Sequence, residues 1–395
     1  MSVTGPLGFV AAGVACGIKA AGQLDLALVA TDDGTAVPAA GVFTANRAAA
    51  PSVQLSRRHL VATGGRAAAV VLSSGNANAA TGARGMHDVE AMCAATAAGL
   101  GAMTEEVLVA QTGLIGIPLP VGPLGSGIPV LLDARSGSRQ AAADAATAIM
   151  TTDTVRKEVL VEGEGFRVGA MAKGAAMLEP SMATMLAVLT TDAQVGDAQV
   201  GDTLLGDLLR HSVEGSFNRM TVDGCMSTND TVLVLASGRS GVAPGAGALA
   251  EALGEACQQL AASMAADAEG ATKVAHVVVE GAVSDDEAHR AARKVAGSLL
   301  VKCSLNGEDP YWGRVVSELG SAGVGFELDR VQVSYGGVAV CRAGVSVEHD
   351  AAAVRRHMAG RSITITCGLG IGAGRAAVLT TDLGHGYIDE NRGTS

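Results

Sequence analysis

The segment MAKGAAMLEPSMATMLAVLTTDA, residues 171–193, decides how the centre of this chain is built. Its second half, from Met185 to Thr191, is a short apolar run with β-branched residues, which predicts a buried β-strand. Thr184 stands at the start of this run, and Lys173 lies eleven residues upstream of it. A threonine in an apolar strand is usually a packed residue that bonds to its own backbone, and a single lysine is usually solvated. The rest of the sequence must therefore decide whether Thr184 is structural or reactive.

The composition indicates a globular chain with an aliphatic core. Of the 395 residues, 48% are hydrophobic but only 2% are aromatic, so Ala, Val, Leu, Ile and Met must fill the interior. This length favours two or three domains or lobes. The net charge is −11, and no block rich in Lys and Arg is present. Phosphate binding needs concentrated positive charge, so we expect small-molecule substrates and no nucleic-acid partner.

The cysteines and histidines do not follow the spacing of disulfide frameworks or metal sites. The seven cysteines never form a CxxC pair, and the eight histidines never form an HxH or HExxH motif. We therefore expect no metal ion, reduced thiols and a cytoplasmic location. The N-terminal stretch MSVTGPLGFVAAGVACGIKAAG has no basic segment before an apolar core, so no signal peptide is expected.

One uncharged stretch, VLVAQTGLIGIPLPVGPLGSGIPVLL at residues 107–132, is long enough to cross a membrane. Prolines and glycines recur inside it, and both residue types disfavour a helix. We therefore predict strands and turns here and no membrane partner.

Hydrophobic patterning predicts an α/β chain with antiparallel or mixed sheets in layers. Strands are predicted at residues 24–31, 39–45, 67–75, 106–113, 230–238, 274–283, 331–340 and 362–370. Helices are predicted at residues 87–101, 140–153, 204–217, 248–270 and 286–302. The stretch GLGIGAG, residues 368–374, is interpreted as a Gly-rich turn, and the duplicated DAQVGDAQVGD, residues 192–202, as a surface-loop insertion.

Small polar residues remain at or beside the predicted strand ends. The chain has no GxxxxGK[ST] loop, no Rossmann GxGxxG and no GxSxG elbow, which leaves no nucleotide-binding or serine-hydrolase motif. The polar sites are Thr112–Gly113, residues 151–153, Lys173, Thr184, STND at 227–230, DAEGATK at 267–273, GEDPYWGR at 307–314 and YIDENRGTS at 387–395. Each of them alone is typical of a turn or a packed residue.

Taken in order, these blocks resemble the glutamate N-acetyltransferase/ornithine acetyltransferase family of arginine biosynthesis. The resemblance extends over nearly the whole chain. The blocks that carry it are GFVAAGVACGIKAAGQLDLALV, GVFTANRAAAPSV, SSGNANAATG, TGLIG, AIMTTDTVRKEV, MAKGAAMLEPSMATML, FNRMTVDGCMSTNDTV, DAEGATK, DPYWGR and TTDLGHGYIDEN. The AKG…PSMATML block is close to diagnostic.

The resemblance implies a chain that cleaves itself between Ala183 and Thr184. The products are an α chain, residues 1–183, and a β chain, residues 184–395, which assemble as α2β2. A threonine hydroxyl is a poor nucleophile without a base. Cleavage frees an α-amine on the same residue, with a reference pKa of about 7.7–8.0, which suits general-base catalysis near neutral pH. The implied fold is a layered αβ sandwich resembling N-terminal-nucleophile architectures, with two lobes and the active site between them.

The implied reaction is a ping-pong acetyl transfer from N2-acetylornithine to glutamate through acetyl-Thr184. Thr112 and Gly113 are the implied oxyanion hole, because a hydroxyl and a backbone N–H at a glycine turn suit that task. No cofactor is expected, and acetyl-CoA is a candidate second donor. The implied substrate-binding residues are Thr151, Lys173, Thr184, Glu269, Asn391 and Ser395.

The sequence departs from the family pattern at a few positions and leaves alternatives open. The tail reads NRGTS, Tyr311 replaces the usual Asn, and Ala176 replaces the usual Gly. The shortened tail leaves either Ser395 or Thr394 as the terminal pocket residue. The alternatives are an N-terminal-threonine amidohydrolase with water as acceptor, a specialised-pathway paralogue with another acyl donor, and an unprocessed binding protein.

Overall fold

The computed structural model describes residues 2–179, 185–196 and 204–392. The chain divides into two compact units by its contacts. Unit 1 consists of Met1–Met177, Ser181–Asn218 and Cys225–Met264. Unit 2 consists of Leu178–Pro180, Arg219–Gly224 and Ala265–Ser395.

Strands and helices alternate along the described residues. The strands are β1 Phe9–Val14, β2 Leu26–Thr31, β3 Val37–Phe43, β4 Arg66–Ala67, β5 Ala69–Asn76, β6 Val107–Leu114, β7 Lys157–Glu162, β8 Arg167–Lys173, β9 Leu186–Thr191, β10 Met220–Thr221, β11 Thr231–Ala236, β12 Val274–Ala282, β13 Gln332–Tyr335, β14 Val338–Arg342, β15 Val345–Ser346, β16 Ser362–Gly368 and β17 Gly374–Thr381. The helices are α1 Pro51–Ala62, α2 Gly82–Leu100, α3 Val121–Ala134, α4 Arg139–Ala148, α5 Leu204–Glu214, α6 Ala246–Ala266, α7 Asp285–Ala296, α8 Leu299–Asn306, α9 Trp312–Gly320, α10 Ala351–Ala359 and α11 His385–Glu390. The predicted α/β class is confirmed, and most predicted elements agree with these bounds within a few residues.

Unit 1 contains two sheets that share one apolar core. One sheet has the strand order β1-β2-β5-β6, and the other has the order β4-β3-β11-β9-β8-β7. Both are mixed sheets, because β5 runs parallel to β6 and β9 runs parallel to β11. Alanines of α4 pack in the core with residues of both sheets. Gly13 of β1 permits this approach, since a Cβ there would lie 2.1 Å from the Asp144 carbonyl oxygen of α4.

The prediction of strands and turns across residues 107–132 is wrong in its second half, which is the helix α3. An interior proline such as Pro129 costs a helix about 3 kcal/mol. The buried residues Leu124, Ile128 and Leu131 recur at helical spacing and pack against the four-stranded sheet and α2. Burying each of them contributes roughly 1.5–3 kcal/mol, so tertiary packing outweighs local propensity. Among the described residues, none of the helices is long and apolar enough to cross a membrane.

Strand β9 confirms the prediction from the opening segment, and all six of its residues are buried. It pairs antiparallel with β8, with Lys173 opposite Leu186, and parallel with β11. The chain before residue 180 and the chain after residue 184 therefore hydrogen-bond to each other in one sheet. A cut in the intervening segment would leave its two products joined by this strand ladder.

Unit 2 contains a sheet with the strand order β10-β17-β12-β16-β13-β14-β15. Helices α7 to α10 contribute to its apolar core. The predicted strand 331–340 is a hairpin of β13 and β14, because Gly336 and Gly337 both adopt positive φ and turn the chain. The Gly-rich turn is confirmed between β16 and β17.

Serine side chains set the start of several helices. Ser138, Ser284 and Ser298 each accept a hydrogen bond from a backbone N–H in the first turn of α4, α7 and α8. The cap at Ser298 also explains why the predicted helix 286–302 is two helices, since the chain leaves α7 at Gly297 and begins again with its own cap.

Candidate active site

Lys173 and Thr112 lie together in unit 1. Lys173 ends β8 and is 3% exposed, and Thr112 lies near the end of β6 and is also 3% exposed. The Lys173 Nζ donates to the Thr112 Oγ1 over 3.4 Å. The structure thus brings a predicted carboxylate-binding cation next to a predicted oxyanion residue, although the two are 61 positions apart in sequence.

Gly113 occupies a backbone position that leaves no room for a side chain unless its neighbours move. Its φ is +130°, and a Cβ there would lie 2.3 Å from the Gly75 carbonyl carbon and 2.4 Å from the Asn76 nitrogen. The β5–β6 register shifts at Gly75 and Asn76 beside it. The close approach of β5 and β6 at this point therefore depends on glycine for both conformation and space.

The carboxylate of Asp153 connects Thr151 to the residue after Lys173. Its Oδ2 accepts the Thr151 N–H over 3.0 Å, and its Oδ1 accepts the Gly174 N–H over 2.7 Å and the Lys157 Nζ over 2.6 Å. Burial alone would raise the pKa of Asp153, but the charges of Lys173 and Lys157 and the Gly174 N–H lower that pKa to about 2. A buried anion therefore holds Thr151 and the end of β8 in one arrangement.

The replacement Asp153→Asn is expected to destabilise the protein by about 3–5 kcal/mol, because it leaves buried lysine charge uncompensated. The Asp153 and Lys157 side chains are both fully buried. Since the folded pKa is depressed, Asp153 stabilises the fold above its unfolded pKa of about 3.9, and this contribution is lost as the pH falls from about 4 to about 2. Urea unfolding of both proteins at pH 7 and pH 3 measures the difference.

Asp207→Asn is the matched control for that experiment. Its partner Arg210 lies 2.6 Å away, the same distance as in the buried pair, but both side chains are about half exposed. An exposed pair contributes only about 0–1 kcal/mol. Equal losses of unfolding free energy for the two variants at pH 7 would contradict the role given to Asp153.

Lys19 and Asp25 hold the chain near Thr151. No role was assigned to either residue from the sequence alone. Asp25 is fully buried and accepts backbone N–H groups from Cys16, Gly17, Ile18 and Lys19 over 2.6–3.0 Å. The Lys19 Nζ donates to the Met150 carbonyl over 2.6 Å, next to Thr151. Burial lowers the pKa of Lys19 to about 8, although Asp25 opposes this effect. The sequence pattern that could have identified Asp25 is an aspartate after a Gly-rich loop and immediately before a buried strand.

Glu269 and Asn391 meet in unit 2. The Asn391 Nδ2 donates to the Glu269 Oε2 over 2.8 Å, and the Gly270 N–H donates to the Glu390 Oε1 over 3.0 Å. Gly270 has a φ of +61°, and a Cβ there would lie 2.1 Å from the Tyr387 nitrogen. The loop that carries Glu269 therefore packs tightly against α11, whose C-terminal end carries Asn391.

Several predicted positions lie outside the described residues or take no part in these contacts. Ala183, Thr184, Ser395 and Thr394 lie outside the described residues, as do residues 197–202 of the duplicated segment. Met185, the next residue after Thr184, is described and buried. Its N–H donates to the Asp230 Oδ1 over 3.0 Å. Tyr311, at the start of α9, is 56% exposed.

Comparison with solved structures gives matches that cover about half of this chain. The crystal structure of arginine biosynthesis bifunctional protein ArgJ from Bacillus halodurans is 31% identical, with a TM-score of 0.48, and covers 52% of this chain and 96% of its own. The crystal structure of ornithine acetyltransferase complexed with ornithine from Mycobacterium tuberculosis is 42% identical, with a TM-score of 0.43, and covers 47% of this chain and 96% of its own.

Comparison of sequences extends over nearly all of the chain. The protein named arginine biosynthesis bifunctional protein ArgJ of Mycolicibacterium paratuberculosis is 47% identical over 397 residues, covering 98% of this chain and 95% of its own. The protein of the same name from Thermobifida fusca is 46% identical and covers 99% of both chains. The model of the ArgJ family matches residues 10–393. This chain belongs to the ArgJ family.

Proposed function

We propose that this ArgJ-family chain is an enzyme of arginine biosynthesis that transfers the acetyl group of N2-acetylornithine to glutamate. Membership of the family and similarity to relatives named as arginine biosynthesis proteins support this function. The single structural observation that carries it is the buried Lys173 Nζ, 3.4 Å from the Thr112 hydroxyl. A substrate carboxylate bound by this lysine lies beside the Thr112 hydroxyl, which can donate a hydrogen bond to the oxyanion that forms in the transition state.

The proposed chemistry has two half-reactions. The Thr184 Oγ attacks the acetyl carbonyl of N2-acetylornithine, and the freed α-amine of Thr184 takes the hydroxyl proton. The C–N bond breaks, and ornithine leaves with that proton on its amine. The glutamate amine then attacks the acetyl-threonine ester and gives a proton to the α-amine of Thr184. The C–O bond breaks, and this proton restores the Thr184 hydroxyl. Thr112 Oγ–H and Gly113 N–H stabilise the tetrahedral oxyanion in both steps.

Substrate recognition follows the charges of a small amino acid. Lys173 pairs with the α-carboxylate, and Glu269 pairs with the cationic amino group of ornithine. Thr151, Asn391 and the C-terminal Ser395 complete the proposed contacts. The position of Asp153 supports this assignment, since it fixes the Thr151 N–H and the residue after Lys173.

The proposed mature protein is made of two chains. Cleavage between Ala183 and Thr184 gives residues 1–183 and 184–395, and two copies of each form an α2β2 assembly. The pairing of β8 with β9 supports stable association of the two products. We place this enzyme in the cytoplasm. No cofactor is required by the proposed chemistry, because the acyl group is carried on the protein itself.

A second proposed activity is the acetylation of glutamate by acetyl-CoA. The relatives in both Mycolicibacterium paratuberculosis and Thermobifida fusca are named bifunctional. The same acetyl-threonine intermediate serves either donor, since a thioester and an amide deliver the same acetyl group.

Parallel assays of acetyl transfer to glutamate, with N2-acetylornithine or acetyl-CoA as donor, test the function. We expect N-acetylglutamate and an equal amount of ornithine from the first donor, and N-acetylglutamate from the second. Release of acetate in place of N-acetylglutamate would instead identify an amidohydrolase. The variant Lys173→Ala gives a supporting test. It is expected to raise the KM for N2-acetylornithine by the factor that corresponds to the loss of one hydrogen bond to a charged group, a free-energy difference of about 1.5–3 kcal/mol.

A further inference from the structure

Two adjacent residues, Asn229 and Asp230, connect the strand ends that carry the proposed chemistry. Asn229 is 3% exposed, and its Nδ2 donates to the Gln111 carbonyl over 2.9 Å and to the Ala77 carbonyl over 2.7 Å. Gln111 lies on β6 immediately before Thr112, and Ala77 directly follows β5. The side chain of Asn229 therefore fixes the end of the four-stranded sheet at the proposed oxyanion hole.

Asp230 makes the corresponding contact with the six-stranded sheet. It is fully buried directly before β11, and its Oδ1 accepts the Met185 N–H over 3.0 Å. That nitrogen is covalently bonded to the carbonyl carbon of Thr184. Backbone hydrogen bonds hold Asp230 itself, since its carbonyl accepts the Thr44 N–H over 3.0 Å and the next residue, Thr231, donates to the Met185 carbonyl over 3.1 Å.

We propose that Asn229 and Asp230 are positioning residues that hold the proposed oxyanion hole and Met185, the residue bonded to the proposed nucleophile, in one arrangement. Consecutive Cα atoms are about 3.8 Å apart across a trans peptide, so the backbone positions that carry these two side chains keep a constant separation. One side chain holds the residue before Thr112, and the other holds the residue after Thr184. The identity of the nucleophile and of the oxyanion residues rests on the proposed function.

The two positions tolerate different exchanges, because their hydrogen bonds run in opposite directions. Asn229 donates to two carbonyl oxygens, and a carboxylate has no proton to donate. Asp230 accepts from an N–H, which an asparagine oxygen also does. The Asp230 Oδ2 has no hydrogen bond of good geometry to a described residue, so an asparagine nitrogen there replaces an atom that already lacks one.

The ionisation of Asp230 agrees with this assignment. Burial raises the pKa of Asp230 well above its usual range, although the Met185 N–H, the nearby hydroxyls of Ser227 and Thr44 and the charge of Lys173 oppose this effect. Burial therefore disfavours the charged form of this side chain, and asparagine has nearly the same shape without a charge.

The test compares Asn229→Asp with Asp230→Asn in the complete, processed protein, using acetyl transfer from N2-acetylornithine to glutamate. We expect Asn229→Asp to lower kcat by about 100-fold with little change in KM, because a small displacement of reacting groups has that cost. We expect Asp230→Asn to keep kcat close to that of the unaltered protein and Asp230→Ala to lower it. Unchanged kcat in Asn229→Asp, or equal losses in Asp230→Asn and Asp230→Ala, would overturn the proposal.

Amide hydrogen exchange of residues 185–191 gives a readout that does not depend on acetyl transfer. The Met185 amide is expected to exchange faster in Asp230→Ala than in the unaltered protein and in Asp230→Asn. Equal exchange in all three proteins would overturn the positioning role. If the unaltered protein transfers no acetyl group, the proposed function fails, and this exchange measurement still decides whether Asp230 holds Met185. If Asn229→Asp does not fold, the exchange measurement on the Asp230 variants still tests the positioning role.

Discussion

Thr184→Ala is expected to give a single uncleaved chain of 395 residues with no acetyl transfer. In the proposed mechanism the same hydroxyl is needed twice: first to attack the carbonyl of Ala183 in an N→O acyl shift, which gives an ester that water hydrolyses, and then to accept the acetyl group. Alanine has no nucleophile, and without cleavage the α-amine that serves as base is never freed. A denaturing gel measures processing, and formation of N-acetylglutamate from N2-acetylornithine measures transfer.

Thr184→Ser is the control that keeps the hydroxyl. It is expected to produce both fragments, residues 1–183 and 184–395, and to retain part of the transfer activity. The fragments are expected to separate only under denaturing conditions, because β8 and β9 lie on opposite sides of the proposed cut and pair from Val168 to Lys173 and from Leu186 to Thr191. Acetyl transfer by the alanine variant, or an uncleaved unaltered protein with full activity, would contradict the threonine mechanism.

Gly113→Ala is expected to lower kcat by about 100–1000-fold, the usual effect of removing one oxyanion-hole donor. An alanine Cβ would lie 2.3 Å from the Gly75 carbonyl carbon, which is less than any allowed contact. That atom belongs to the backbone of the neighbouring strand, so β5 and β6 must move apart and the Gly113 N–H moves with them. The φ of +130° adds backbone strain. Steady-state kinetics with N2-acetylornithine and glutamate measure this loss.

Gly116→Ala is the matched control, three residues further along the same segment. Its φ is also positive, at +83°, but a Cβ there would have nothing within 4 Å. We expect a stability loss of about 1–2 kcal/mol from the left-handed conformation and no comparable fall in kcat. Equal activity losses in the two variants would show that conformation alone, rather than the overlap with β5, explains the effect at Gly113.

Short-range patterns were sufficient for most elements of this fold. Strands β9 and β12 both follow from apolar runs that contain β-branched residues, LAVLTT and VAHVVVEGA. Where the prediction from sequence was wrong, packing between residues far apart in sequence decided the secondary structure. The helix α3 contains Pro129 and two exposed glycines, and it forms because its apolar stripe is buried against α2 and the four-stranded sheet.

The sequence by itself determined the family and the candidate chemical groups, because these depend on the identity and order of residues. Thr112, Lys173 and Glu269 were all identified from their motifs. Only the tertiary structure decided which groups meet. The contact between Lys173 and Thr112, the anion of Asp153 between two chain segments, and the paired contacts of Asn229 and Asp230 all join residues that lie far apart in sequence. Such contacts depend on sheet pairing and strand register. No local sequence pattern specifies them, because the packing of the whole core determines which residues far apart in sequence become hydrogen-bond partners.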